Sequence, residues 1–312
     1  MSDTLVLLNA ILPVLGLIGV GGGIRRMKWL TPEADASLVR MVVNLLTPCL
    51  IADTILGNPV FGRVGNVVLP PLLGFGTTVL GIGLGWWAGR RLEEKERRTF
   101  ALTAGICNYG YIPLPLAQVL FSAGTVGVLF VQNIGVELAM WLVGLSVLSG
   151  RSWRGGWRHL LNPPVFAIIG TLALNAVLSR EAVPAPILQA VHLLGRCAIP
   201  LGLMLIGATL ADLLPGMGES VRWRVVLLAC GVRLIGVPVM MLGLAWWIPA
   251  SREVREVLLL HAAMPAAVFP IIMARHYGGD AGTALRVVVG TSLASAVTIP
   301  FWLKAGMVLL GL

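Results

Sequence analysis

The chain has 312 residues, 57% hydrophobic and only 12% charged, with a mean hydropathy of +0.89 and a formal net charge of +9. A water-soluble domain carries roughly a quarter of its residues charged to cover its surface. This composition therefore excludes a soluble globular protein and predicts an all-α integral membrane protein.

A bilayer span needs about 20 mostly apolar residues. Cutting the chain at its charged and turn-forming clusters leaves ten such stretches: 4–23, 37–57, 66–89, 99–121, 124–149, 162–179, 187–213, 223–249, 254–276 and 282–310. Continuous runs of this kind argue against a β-barrel, whose strands show short alternating segments. The first stretch follows Met1, Ser2 and Asp3 without a basic leader and reads as a retained span, not a cleaved signal. Gly21, Gly22 and Gly23 are expected to end it; a phosphate cradle would need a P-loop pattern that is missing.

Lys and Arg in the short loops set orientation. With the N-terminus outside, the cytoplasmic loops hold Arg25, Arg26, Lys28, Arg90, Arg91, Lys95, Arg97, Arg98, Arg151, Arg154, Arg158, Arg222, Arg224 and Arg275. The outer loops hold Arg63, Arg180, Arg252 and Arg255, so fourteen against four predicts both termini outside a cell (inner) membrane. The net positive charge is thus a topology signal, and no nucleic-acid partner is expected. The stretch RSWRGGWRHL (151–160) interleaves Trp and Arg as an interfacial segment does. Cys49, Cys107, Cys197 and Cys230 are scattered singly without metal-ligand spacing and read as buried small hydrophobes.

The chain also resembles itself. Residues 97–121 laid over 254–278 at an offset of 157 place Arg98 on Arg255, Asn108 on Pro265, Pro113 on Pro270 and Ala117 on Ala274. Stretch two matches stretch seven at 156, with Arg40 on Arg196 and Asn44 on Pro200. This predicts two five-span units, 1–150 and 162–312, joined by a short cytoplasmic linker at 151–161. Because five is odd, the second unit must enter the membrane from the opposite side, which makes the repeats inverted. Inverted repeats with interrupted helices at matching positions point to a secondary transporter with its site at the bilayer midplane. Stretch four carries Gly105, Asn108, Gly110, Pro113 and Pro115 near mid-span, and stretch nine carries Pro265 and Pro270. Prolines there remove helical hydrogen bonds, and breaks at that depth survive only inside protein or beside a polar cavity. Crossing there, the two breaks would present helix ends able to bind a small ion or anion.

GICNYGYIPLPLAQVLF resembles the fourth-span motif of the auxin efflux carrier family in its short bacterial form. HAAMPAAVFPIIMARHYGGDAGTALRVVVGTSLASAVTIP resembles that family's ninth and tenth spans, with its ending at Thr291, Ser292, Ser295, Thr298 and Pro300. The resemblance implies a ten-span fold related to the bile acid/sodium symporters. It implies a scaffold unit of spans one, two, six and seven, a transport unit of spans three to five and eight to ten, and a homodimer through the scaffold. It further implies export or exchange of organic anions: auxin in plant members, malate- or malonate-like carboxylates in bacterial ones. Two departures stand out. The plant carriers have an Asn beside the second crossover proline where Met264 and Ala266 flank Pro265, and their long cytoplasmic loop is absent.

Ionisable residues at membrane depth are costly and mark candidate sites. Glu137 follows Asn133 by one turn and lies near Gln132, which puts a carboxylate and an amide on one helix face. The trio reads either as a proton- or sodium-coordinating site or as a protonated Glu in a helix–helix hydrogen bond. Arg233, mid-span in stretch eight, either faces the substrate path or neutralises Glu137 or Asp53. His261, one turn before Pro265, is a proton shuttle or a hydrogen-bonded packing residue. Asn44 and Pro48 would line the scaffold side of the cavity. The expected substrate contacts are thus Asn108, Tyr109, Gly110, Pro113, Pro265, Ala266, Asn44 and His261. No nucleophile–base constellation, metal signature or nucleotide motif appears, so neither enzymatic activity nor a cofactor is expected beyond coupling to protons or sodium. The function that follows is elevator-like transport of small organic anions. The rivals are a sodium-coupled importer of the bile acid type and, further off, a channel or sensor on the same fold.

Overall fold

A computed structural model describes residues 3–150, 156–177, 180–215 and 222–312. The described residues are helical, in twelve main segments and three short 3-10 turns at Pro59–Gly62, Gly156–Leu160 and Arg180–Ala182. Three stand as α1 (Asp3–Arg26), α2 (Pro32–Ile55) and α3 (Gly65–Arg91). Next come α4 (Glu94–Gly105), α5 (Pro113–Leu120), α6 (Ala123–Ser149), α7 (Pro163–Val177) and α8 (Ala185–Leu213). The last four are α9 (Trp223–Trp247), α10 (Arg252–Ala263), α11 (Phe269–His276) and α12 (Ala281–Leu310).

Six of these, α2, α3, α6, α8, α9 and α12, are each long and apolar enough to cross a bilayer unaided. The pairs α4/α5 and α10/α11 fall short because each run is interrupted. Gly105 ends α4, and Pro113, which has no N–H to lose at a helix start, begins α5. Pro265 disfavours helical geometry at Met264, whose φ −77° and ψ 145° are extended, so α10 stops at Ala263. Capping sets the starts of the neighbouring helices: Ser122 accepts from the Thr125 N–H, Ser251 from Val254, and Asp280 from Thr283 at 2.6 Å.

Helix association in lipid has no hydrophobic driving force and relies on close packing through small residues. Helices α1, α2, α7 and α8 pack together, while α3, α4, α6, α9, α10 and α12 pack around one another. The two groups meet where α1 touches α5 and α12 and where α2 touches α6. Glycine permits the closest approaches. A Cβ on Gly207 of α8 would lie 1.9 Å from the Ile18 carbonyl oxygen of α1, and one on Gly135 of α6 would lie 1.8 Å from that of Pro71 in α3.

This packing corrects one expectation. Gly21 to Gly23 do not end the first helix, which runs on to Arg26; Gly21 is spent on a backbone approach to Met204. Arg25 at the end of that helix is buried and pairs with Asp35 at 2.5 Å and Asp212 at 3.3 Å. Of the four cysteines only Cys107 is buried, while Cys197 is exposed on α8, a surface that lipid tolerates as readily as a core. Residues 151–155 of the Trp/Arg segment and linker lie outside the described residues.

The most enclosed part of the molecule is not a long helix. Every residue from Val257 to Met264 in and after α10 is fully buried, as is every residue from Thr99 to Ala104 in α4. A helix buried on all sides is an interior element, so the two interrupted helices form the centre of the bundle.

Candidate functional site

The two interruptions meet. Residues 106–112 and 264–268 leave the helical conformation, and Cys107 pairs with Ala266 as an isolated antiparallel bridge. The Asn108 N–H donates to the Pro265 carbonyl at 2.8 Å, and the Ala267 N–H donates to the Ile106 carbonyl at 3.0 Å. Backbone groups freed from a helix inside a membrane must find partners within the protein, and each broken segment finds them in the other.

Side chains from three further helices close what the bridge leaves open. Asn133 of α6 donates from Nδ2 to the Tyr109 carbonyl at 2.8 Å. The Ala266 N–H donates to Thr291 Oγ1 of α12 at 3.2 Å, while that hydroxyl donates to the Val287 carbonyl at 2.8 Å. Tyr109 and Ala266 are 157 residues apart and Asn133 and Thr291 are 158 apart, close to the 157-residue offset of the sequence self-similarity. Thr291 belongs to the sequence motif read earlier but not to the expected site; only the bridge reveals its role.

Arg233 does not pair with Glu137 or Asp53. It is 1% exposed, sits in a π-turn of α9 (Val232–Gly236), and donates from Nη2 to the His261 carbonyl at 2.7 Å and from Nε to the Met264 carbonyl at 3.0 Å. The last carbonyls of a helix lack intrahelical partners and carry partial negative charge. Arg233 thus caps the end of α10 at the crossover and brings a positive charge to it. Asp53 bonds instead to Arg180 at 3.1 Å and His192 at 2.8 Å, away from the bridge.

The predicted trio on α6 is divided. Gln132 and Asn133 turn towards the crossover. Gln132 Nε2 lies 3.0 Å from His261 Nδ1, so the amide donates and the ring accepts. Glu137, one turn on, accepts from Asn162 Nδ2 at 3.0 Å, and Asn162 also caps α7 through the Val165 N–H at 3.0 Å. Among the described residues, three atoms of the cluster are buried without a hydrogen-bond partner: Gln132 Oε1, Asn133 Oδ1 and His261 Nε2. Buried polar atoms of this kind call for a partner, a water, an ion or a ligand group.

The other expected residues are placed as follows. Asn108 is 7% exposed at the bridge; Pro113 begins α5. Gly110 has open space beside it, since a Cβ there would meet no atom within 4 Å. Asn44 is exposed in a π-turn of α2 that packs against α7 and α8, not against the broken helices. One contact was unforeseen: a Cβ on Gly202 of α8 would stand 2.2 Å from the Tyr111 ring, so Tyr111 of the first break lies directly on the α1/α2/α7/α8 group.

The family model described as "membrane transport protein" matches residues 6–154 and 152–303, nearly the whole chain. The chain belongs to this family, that of the auxin efflux carriers. Two archaeal members align along almost their full lengths. One, from Methanothermobacter thermautotrophicus, is called "uncharacterized transporter" and is 27% identical over 305 residues, 96% of this chain and 94% of its own. The other, from Methanocaldococcus jannaschii, carries the same description and is 24% identical over 307 residues, 95% of this chain and 97% of its own. The family and its several apolar helices identify a multi-pass membrane transporter.

Proposed function

We propose that this transporter is a secondary carrier of small organic anions, dicarboxylates or auxin-like acids, working in efflux or exchange. Its ten spans form two inverted five-helix repeats, with α4/α5 and α10/α11 as the crossed broken pair. The group α1, α2, α7 and α8 serves as the scaffold and the second group as the moving unit, in an elevator-like alternation. The termini lie outside the cell membrane, and copies pair through the scaffold.

The observation that carries this reading is the antiparallel contact of the two breaks, Asn108 N–H to Pro265 carbonyl at 2.8 Å. Such a contact brings two helix starts and two helix ends to one point in the bundle, and helix starts favour anions. The capping Arg233 adds fixed positive charge beside them. An anion would meet Asn108, Tyr109 and the open side of Gly110, with Pro113, Pro265, Ala266 and His261 around it.

The unpaired oxygens of Gln132 and Asn133 favour coupling to a cation, sodium or a hydronium-borne proton, and keep a sodium-driven importer as the second reading. Counterflow of labelled dicarboxylates and indole acids into proteoliposomes tests the carrier. Flux that depends on the protein is expected; none with any substrate of either class would refute it. Replacing sodium by choline, with and without a proton gradient, separates the two readings.

A further inference from the structure

We propose that the end of α3 and the start of α9 form a binding site for the phosphate headgroup of an anionic phospholipid, separate from the transport site. The two helices border a cavity of about 580 Å³ whose polar lining is Arg90, Arg91 and Arg224 and whose apolar lining includes Trp87, Leu227 and Leu228. None of the three arginines is ion-paired among the described residues.

Two acidic residues near them are already taken. Glu94 holds Arg98 at 2.8 Å, and buried Glu96 holds Arg222. Arg97 is likewise committed, donating to the Trp86 carbonyl at 3.1 Å with its guanidinium 3.8 Å from the Trp86 ring. The three exposed arginines thus line one cavity with no ion-pair partner among the described residues, and an anion seated there would meet all three. Helix α9 adds to the field. Its N-cap residue, Arg222, supplies no side-chain cap, so the first N–H groups of the helix keep their partial positive charge.

Phosphate suits this set better than a carboxylate does. A guanidinium binds it through two parallel N–H donors, and its oxygens are numerous enough for three arginines. The apolar wall selects a lipid over a free anion. Trp87 is 60% exposed and lies under the Arg90 guanidinium at 4.9 Å, Leu227 of the same cavity is 68% exposed, and Trp223 at the start of α9 is 67% exposed. Large apolar side chains bared next to arginines at the end of long apolar helices mark the headgroup level of a bilayer, and basic pockets between transmembrane helices hold anionic headgroups. The acyl chains would lie along Leu227 and the outer face of α9.

The test titrates purified protein in neutral detergent with phosphatidylglycerol or phosphatidylcholine and counts bound lipid by native mass spectrometry. Phosphatidylglycerol should bind at least about tenfold more tightly. Replacing Arg90, Arg91 and Arg224 together by Ala should remove that preference, and Arg224→Ala alone should weaken it several-fold, which keeps the test decisive should the triple variant aggregate. Arg63→Ala, an exposed arginine on a different loop, should leave it unchanged. Excess glycerol 3-phosphate should fail to displace the lipid. Equal binding of the two lipids, wild-type preference in the arginine variants, equal loss in Arg63→Ala, or displacement by glycerol phosphate would each overturn the proposal; the last would make this a site for free phosphate esters.

Discussion

The Asn108 N–H and the Pro265 carbonyl, 157 residues apart in the chain, lie 2.8 Å apart and join the two broken segments at the centre of the bundle. The donor is backbone, so the Asn108 side chain is not consumed by the joint. Asn108→Ala should therefore fold and remain monodisperse by size-exclusion chromatography, yet lose substrate counterflow by about tenfold or more. Unchanged uptake would remove Asn108 from the substrate site.

Arg233→Met keeps most of the side-chain volume but orphans the carbonyl of Met264 and leaves that of His261 only its 3.4 Å contact with the Met264 N–H. An orphaned buried acceptor costs about 1–3 kcal/mol, so the variant should melt well below wild type in detergent. Arg233→Lys, with a single charged tip in place of a fork, should fall between them. A melting temperature equal to wild type would show that these carbonyls do not depend on the arginine.

In the proposed alternation, Gly202 lies where the two helix groups meet. A Cβ there would stand 2.2 Å from the Tyr111 ring, and that contact lies between the two helix groups. Gly202→Ala should displace the Tyr111 ring, slowing counterflow and lowering the melting temperature, and adding Tyr111→Ala should restore part of both. Additive losses in the double variant would show that the two residues act independently.

Gln132, Asn133 and Glu137 share a helix but have different partners, and substitution should separate them. Gln132→Leu and Asn133→Leu remove the unpaired oxygens and should flatten the dependence of flux on sodium or on the proton gradient, whichever the wild type shows. Glu137→Gln can still accept from Asn162 and should keep that dependence within about twofold. Loss of coupling in Glu137→Gln alone would return the carboxylate to the coupling site.

A composition with too few charges to cover a surface, and apolar runs too long for soluble helices, determined by themselves that this is a helical membrane protein. The positions of both breaks were legible for a covalent reason: Pro113, Pro265 and Pro270 fix their own φ and lack an N–H wherever they stand, and Gly105, with no Cβ, weakens a helix through its conformational freedom. Self-similarity at 157 residues showed that the breaks correspond. Which groups would satisfy them was not legible, because hydrogen bonds across such a separation depend on how the bundle closes. Arg233 looked like a charge in need of a carboxylate; only the packing of α9 beside the end of α10 supplies two carbonyls instead. Glu137 shares a face with Asn133 on an isolated helix, but the start of α7 takes the carboxylate while the crossover takes the amide. The three glycines at 21–23 read as a stop, yet α8 comes close enough to make one of them a packing surface. Local chemistry decided where this chain breaks, and the tertiary structure decided what each break touches, since burial leaves every freed polar group to find its partner within the protein.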